Sequence, residues 1–381
     1  MKVPQFMPYV DMEEWEAIKP CFEENWLTEG PRSKIFNEKL CEIIGCKYGV
    51  FANNGTLALY LALKAIGVKR GDEVIVPDFT FIASANAVEM VGATPIFCDI
   101  NKDDFQINID DCQKLVSPRT KAIMPVHLYG FAANMDKVSE FAIKNNLLVI
   151  EDAAQALGIT WKGKGCGSFG DVATFSFFAD KTITTSEGGF VCTNNEETYK
   201  KLLLLRNQGR IDRGSFNHEA IGYNFRMTDV QAAIGLKQLD KFQEISNKKL
   251  SHYKRYKELL SNIEEIEIID PPKEVDSYIP FRVLLRVTKE DSKDNLAKWM
   301  ADRGIETRTF FRPLHTQPCF EGIINIQKLR FWRRWSKYKN SIDSHNRGLC
   351  LPSFASLSDE QIKYVCQVIK EYYTGPYLQT R

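Results

Sequence analysis

Over residues 30–240, short continuous apolar runs alternate with stretches whose apolar positions recur at helical spacing. The runs at 48–52, 73–76, 94–98, 121–126 and 147–150 read as strands. Residues 56–65, 83–91 and 135–145 read as the helices between them. The 56–65 segment is apolar all round, so its helix is expected to be buried. Strands that are apolar along their length need cover on both faces. Helices between successive strands supply that cover and carry the chain back for another strand in the same direction. The pattern predicts an α/β fold with a mostly parallel sheet, three layers deep.

The pattern then changes. A long, polar, lysine-rich helix is predicted over 228–260, of the kind that links a large domain to a small one. A strand over 278–287 and helices over 292–303 and 358–373 follow. Ser358, with Gln361 three residues on, is a capping-box start for the last helix. The expected division is a large domain over 1–245 and a smaller α+β domain over 246–381, which suits a chain of 381 residues.

Charge and composition narrow the classes. Fifty Lys and Arg balance forty-nine Asp and Glu. That argues against coating a nucleic acid or an anionic membrane, which needs surplus positive charge. No apolar stretch reaches the ~18 residues of a spanning helix. Residues 1–8 lack an apolar signal-peptide core. The ten cysteines show no C-x-x-C pair and no zinc spacing, so reduced thiols, no metal site and a cytoplasmic setting are expected.

Three features mislead. Residues 165–170 fit G-x-G-x-x-G, but a dinucleotide fingerprint must open a helix, and residues 171–177 read as a strand. Asn54-Gly55-Thr56 fits a glycosylation sequon, which has no meaning without secretion. Residues 328–339 interleave basic and aromatic side chains. They are read as a surface helix with Trp332 and Trp335 turned inward rather than as a nucleic-acid patch.

The chemistry concentrates at Asp152 and, 29 residues later, Lys181. Asp152 falls just past the strand at 147–150, and ligands of open α/β sheets bind at such carboxyl ends. Lys181 lies in a Thr- and Gly-rich turn. An amine and a carboxylate from separate strand ends match the needs of pyridoxal phosphate. The amine forms a Schiff base, and the carboxylate keeps the pyridinium protonated. Taken singly, Asp152 could equally cap a helix and Lys181 could be solvated. Gly55-Thr56, at a strand-to-helix turn, offers N–H groups and a hydroxyl to a phosphate.

Together these motifs resemble the DegT/DnrJ/EryC/StrS sugar aminotransferase family, a fold-type-I pyridoxal phosphate group. The blocks are NNGTLALYLAL at 53–63, GDEVIVPDFTFIASANAV at 71–88, PVHLYG at 125–130, EDAAQALG at 151–158, FSFFADKTITTSEGG at 175–189, GYNFRMTDVQAAIGLKQL at 222–239 and GIETRTFFRPLH at 304–315. The resemblance implies catalysis by Lys181 and Asp152. It implies cofactor contacts from Gly55, Thr56, Phe81 (stacked on the ring), Gln155 and Ser176. Asn224 would reach the phosphate from a neighbouring subunit, which implies a homodimer with shared active sites. Thr28, Arg226 and His315 would approach substrate, and His127 would be structural.

The family usually has glycine where Ser186 stands. If that position needs φ > 0, serine costs about 1 kcal/mol there. One family branch replaces the lysine by histidine and dehydrates its substrate; Lys181 implies transamination instead. The implied donor is L-glutamate. The implied acceptor is a keto sugar, in the manner of the perosamine synthase group, which aminates a GDP-linked 4-keto-6-deoxy sugar. A smaller phosphorylated ketone such as dihydroxyacetone phosphate is the alternative acceptor. A non-catalytic cofactor-binding regulator is the alternative of another class, and the intact Asp152, Gln155 and Lys181 set speaks against it.

Overall fold

The computed structural model describes residues 1–381 except 212, 213, 215, 290, 291, 332–336 and 376–381. Its centre is a sheet of seven strands: β1 (Tyr48–Ala52), β2 (Glu73–Pro77), β3 (Thr94–Cys98), β4 (Thr120–Ile123), β5 (Leu148–Asp152), β6 (Val172–Ser176) and β7 (Gly189–Thr193). The order across the sheet is β1-β7-β6-β5-β4-β2-β3. From β6 to β3 all pairs are parallel, and β7 runs antiparallel to both neighbours. This is the mostly parallel α/β sheet expected from the apolar runs.

Two differences in strand ends matter. β5 extends to Asp152, which is therefore the last residue of the strand rather than the first beyond it. The Asp152 N–H donates to the Pro125 carbonyl, and the pairing with Thr174 continues there. The regular part of β4 stops at Ile123, short of the expected 126, because Pro125 has no N–H to continue the ladder.

Helices cover both faces, and each face has its own core. Phe36, Ile75, Val149 and Phe175 belong to one; Val50, Leu61, Val76 and Ile150 belong to the other. The Gly55–Ala65 helix buries Ala58, Leu59, Leu61, Ala62, Leu63 and Ala65, as its all-round apolar pattern required.

The predicted 228–260 helix is two helices, Asp229–Asp240 and Phe242–Leu260, which break at Lys241. The Lys241 ammonium is buried and lies 2.9 Å from both Asp11 and Glu14, so the break is pinned to the N-terminal helix Met12–Glu23. The first half packs on Met12–Glu23 and Pro31–Ile44, the second on Asp359–Thr374. Ser358 caps that last helix through the expected box with Gln361.

A second sheet combines β8 (Ile266–Ile268), β9 (Val283–Val287), β10 (Arg308–Thr309) and β11 (Gly348–Leu351) in the antiparallel order β8-β9-β11-β10. Its core holds Tyr256, Leu285, Met300, Leu351 and Ile369. β9 starts later than the expected residue 278. The preceding stretch pairs elsewhere, Val275–Ser277 with Thr160–Trp161, and the Phe281 N–H then donates to the Tyr129 carbonyl in the turn 128–130. An aromatic cluster of Phe79, Phe105, Tyr129, Phe281 and Phe310 lies where the two sheets approach. The expected 328–339 helix does not run through. One helix ends at Arg330, the next begins at Lys339, and Trp332 and Trp335 lie outside the described residues.

Candidate active site

The carboxyl ends of β5 and β6 open into a cavity of about 530 Å³. Gly55, Thr56, Phe81, Asp152, Gln155, Ser176 and Lys181 all line it. Residues scattered over more than a hundred positions meet because each stands at a strand end or at the turn that follows one.

The geometry begins at the Gly55–Ala65 helix. Asn54 caps it by accepting the Leu57 N–H at 3.0 Å. The first N–H groups of a helix lack carbonyl partners and carry the positive end of its dipole. A Cβ on Gly55 would stand 2.9 Å from the Ser176 Cβ, so glycine lets the helix start close to β6. The result is an anion cradle of Gly55, Thr56 and Ser176. Phe81 adds a flat apolar face. Its ring is 56% exposed in a molecule whose other large apolar groups are mostly buried, and that exposure is toward the cavity.

Asp152 is 5% exposed. Its carboxylate accepts the Ser84 hydroxyl at 2.7 Å and the Ala154 N–H at 3.2 Å. Burial raises its pKa; Ser84, the Ala154 N–H and the Lys181 charge oppose that. Gln155 accepts the Tyr129 N–H at 2.6 Å, which holds Tyr129 in a left-handed conformation of φ 59°. Lys181 follows Asp180, whose Oδ1 is 3.5 Å from Nζ. Burial lowers the Lys181 pKa, Asp180 works against that, and Arg282 adds to it. A lysine held below its ordinary value has a larger share of free amine near neutrality.

The buried carboxylate, the half-buried amine, the exposed aromatic face and the helix-terminal cradle fit one group: an anionic phosphate joined to a flat, protonatable ring bearing an aldehyde. Ser186 adopts φ 71°, so the loop after Lys181 does use the conformation that favours glycine. The Thr184 hydroxyl accepts the Ser186 N–H at 2.9 Å and supports it there.

Four candidate residues stand elsewhere. Thr28, Asn224, Arg226 and His315 do not line the cavity. His315 is held by Asp78, with its backbone N–H and ring Nδ1 each 2.7 Å from that carboxylate, and its ring stacks on Tyr338. Arg226 donates from Nε to Asn224 Oδ1 at 2.9 Å, and Asn224 is exposed. Thr28 is exposed, and its carbonyl accepts the Asp229 N–H. Conversely, Ser84, Asp180, Arg282 and Arg308 were not singled out by sequence. Asp180 was adjacent to Lys181 and could have been. Arg282 lies about a hundred positions further along the chain, and no local pattern marks it.

His127 is fully buried, and its Nε2 lies 2.9 Å from Glu151. Its Nδ1 accepts the Ala133 N–H at 3.1 Å, so the ring is neutral and its one N–H, on Nε2, donates to Glu151. Glu151 also accepts N–H bonds from Gly167, Phe169 and Gly170 at 2.6–2.8 Å. The glycine-rich loop at 165–170 thus does wrap an anion, but the anion is an internal carboxylate.

This architecture and cavity define a pyridoxal-phosphate-dependent enzyme of the aminotransferase class. The chain belongs to the DegT/DnrJ/EryC1/StrS aminotransferase family, whose model matches residues 8–370. It is 39% identical to GDP-perosamine synthase of Escherichia coli O157:H7 over 374 residues, 98% of this chain and 99% of that protein. It is 36% identical to GDP-perosamine synthase of Vibrio cholerae, over 97% of this chain and 99% of that one. The PMP-form structure of Spr1654 from Streptococcus pneumoniae superposes with a TM-score of 0.92 at 26% identity and covers 100% of both chains. The protein is a sugar aminotransferase. Among the described residues, no helix is long and apolar enough to cross a membrane.

Proposed function

We propose that this sugar aminotransferase moves the amino group of L-glutamate to a nucleotide-linked 4-keto-6-deoxy sugar, with GDP as the nucleotide. The observation that carries the reading is the similarity, along nearly the whole chain, to two GDP-perosamine synthases. The cavity supports it, because it is large enough for a sugar beside the cofactor and Arg308 stands exposed on its wall.

When bound, pyridoxal phosphate accepts the donor's nitrogen and withdraws electrons from the carbon that loses a proton. Gly55, Thr56 and Ser176 would hold its phosphate, and Phe81 would offer its ring an apolar face. Asp152, buried and held by Ser84, would keep the ring nitrogen protonated. Lys181 supplies the amine that holds the cofactor. Once freed by the donor, the Lys181 amine would take the proton from the substrate carbon as base and give it back as acid. Asn224, exposed on this chain, would complete the phosphate site of a second copy in a homodimer.

Three measurements test this. Borohydride reduction of the loaded protein fixes the cofactor on Lys181 as read by mass spectrometry; attachment elsewhere removes the catalytic assignment. The glutamate-aminated protein is then offered GDP-, dTDP- and UDP-linked 4-keto sugars and dihydroxyacetone phosphate. The GDP sugar should restore the aldehyde form fastest, and turnover of the keto phosphate alone would overturn the acceptor. In the assembly, sedimentation should give a dimer; a catalytically competent monomer would remove the shared site.

A further inference from the structure

Lys181 has a carboxylate as its sequence neighbour, and a full ion pair with it would stabilise the ammonium and hold the amine away from a carbonyl carbon. The ion pair is made only at 3.5 Å and without a hydrogen bond. Asp180 gives its Oδ2 to Arg282 Nη2 at 2.6 Å, while Oδ1 stands 3.5 Å from Lys181 Nζ. Oδ1 is buried without a hydrogen-bond partner, and so is Arg282 Nη1. The Arg282 side chain is only 3% exposed. Its guanidinium lies 4.3 Å from the Phe281 ring centre and 5.6 Å from that of Phe6, which fixes its plane. Lys181 faces the same Phe281 ring at 4.7 Å, and Lys249 does so at 5.7 Å. Arg308 reaches Asp180 Oδ2 from the cavity side at 3.9 Å. The charged groups around Lys181 are thus Asp180, Arg282, Asp152, Lys249 and Arg308, from five separate segments.

We propose that Arg282 is a positioning residue that holds the Asp180 carboxylate short of a hydrogen bond with Lys181 and so limits its hold on the lysine amine needed for covalent chemistry. Arginine suits this task because its guanidinium stays charged and its fork fixes a carboxylate's orientation. Breaking the capture is costly, because removing one partner leaves the other a largely buried charge without its counterion. The direction of the Lys181 shift agrees: Asp180 pulls its pKa up and Arg282 pulls it down. The inference rests on Lys181 as the lysine that holds the cofactor.

The test is a spectrophotometric pH titration of the Schiff-base band in the full-length, cofactor-loaded protein. Arg282→Met frees Asp180 to face Lys181, so the apparent pKa of the Schiff-base nitrogen should rise by about one unit or more. The double variant Asp180→Asn with Arg282→Met should return it to within a few tenths of the parent. Asp180→Asn alone should lower it, and this variant carries the test if Arg282→Met does not fold. An Asp180→Asn protein that titrates like the parent, or a double variant that stays as high as Arg282→Met, overturns the proposal. Borohydride trapping on each variant separates the two readings. An adduct away from Lys181 sinks the lysine assignment, whereas an adduct on Lys181 with an unmoved pKa sinks only the role of Arg282.

Discussion

Glu151 and Asp152 are neighbours on β5, and because side chains alternate along a strand they face opposite sides of the sheet. Glu151 enters a closed region. Three backbone N–H groups and His127 saturate it, and neither residue has any exposure. Asp152 enters the cavity with two partners, Ser84 and the Ala154 N–H. A saturated buried carboxylate holds structure, because it has nothing left to offer a ligand. A buried carboxylate with unused capacity is raised in free energy and gains from a cation placed beside it. The same contrast separates the two glycine-bearing turns. The 165–170 loop closes on Glu151, while the Gly55 turn opens toward the cavity.

The contrast can be broken at several points. Its largest test is Glu151→Ala, which leaves three buried N–H groups and His127 without their acceptor. It should cost about 3–5 kcal/mol, read as a loss of folded protein or a steep fall in Tm. A mild effect would mean that the closed side is not structural. Asp152→Asn should do the reverse. We expect kcat to fall about a hundredfold or more while Tm moves only slightly, since asparagine can still accept the Ala154 N–H and donate to the Ser84 oxygen but cannot hold a pyridinium proton.

The glycines give a matched pair. In Gly167→Ala the new Cβ would sit 2.5 Å from the Phe175 ring at φ +95°, so stability should drop by about 2 kcal/mol in a chemical melt. Gly55→Ala meets Ser176 at 2.9 Å on the open side and should instead weaken cofactor retention about tenfold, measured by equilibrium dialysis. Equal stability losses would erase the distinction between the two turns.

The last effect is spread over pH rather than read at one condition. Burial and Arg282 push the Lys249 pKa down to about 7, and an unfolded lysine titrates near ~10.4. Between those values the unfolded chain holds more protons, so Lys249 makes stability rise with pH across that window, by up to about 1.4 kcal/mol per unit. Lys249→Met should flatten that rise and add stability below pH 7, measured as Tm against pH. A slope unchanged by the substitution would show that this lysine stays charged inside the fold.

The elements most legible in the chain were those with strong periodicity. The strands at 48–52 and 94–98 and the 56–65 helix were found because burial on all sides forces continuous apolar sequence. The 228–260 helix was misread as one piece because no Pro or Gly marks its break. Lys241 ends the first half through contacts with Asp11 and Glu14, more than two hundred positions away. Within the site, Lys181, Asp152 and Gly55 stood in recognisable motifs. Arg282 stood in none, because its meaning comes from the partner it meets and not from its neighbours in sequence. His315 shows the converse: its motif was legible, yet Asp78 holds it away from the cavity.

By itself the sequence determined the alternation of strand and helix, the family motifs and the cofactor chemistry they imply. All of these are local, since backbone preference, side-chain period and short motifs are written within a few turns of chain. Tertiary structure alone decided which carboxylate is saturated and which is open, which cation hydrogen-bonds Asp180, and where the linking helix breaks. Those outcomes depend on distances between residues far apart in sequence. A buried charge is governed by whichever group folding places beside it, because no water remains to screen the choice.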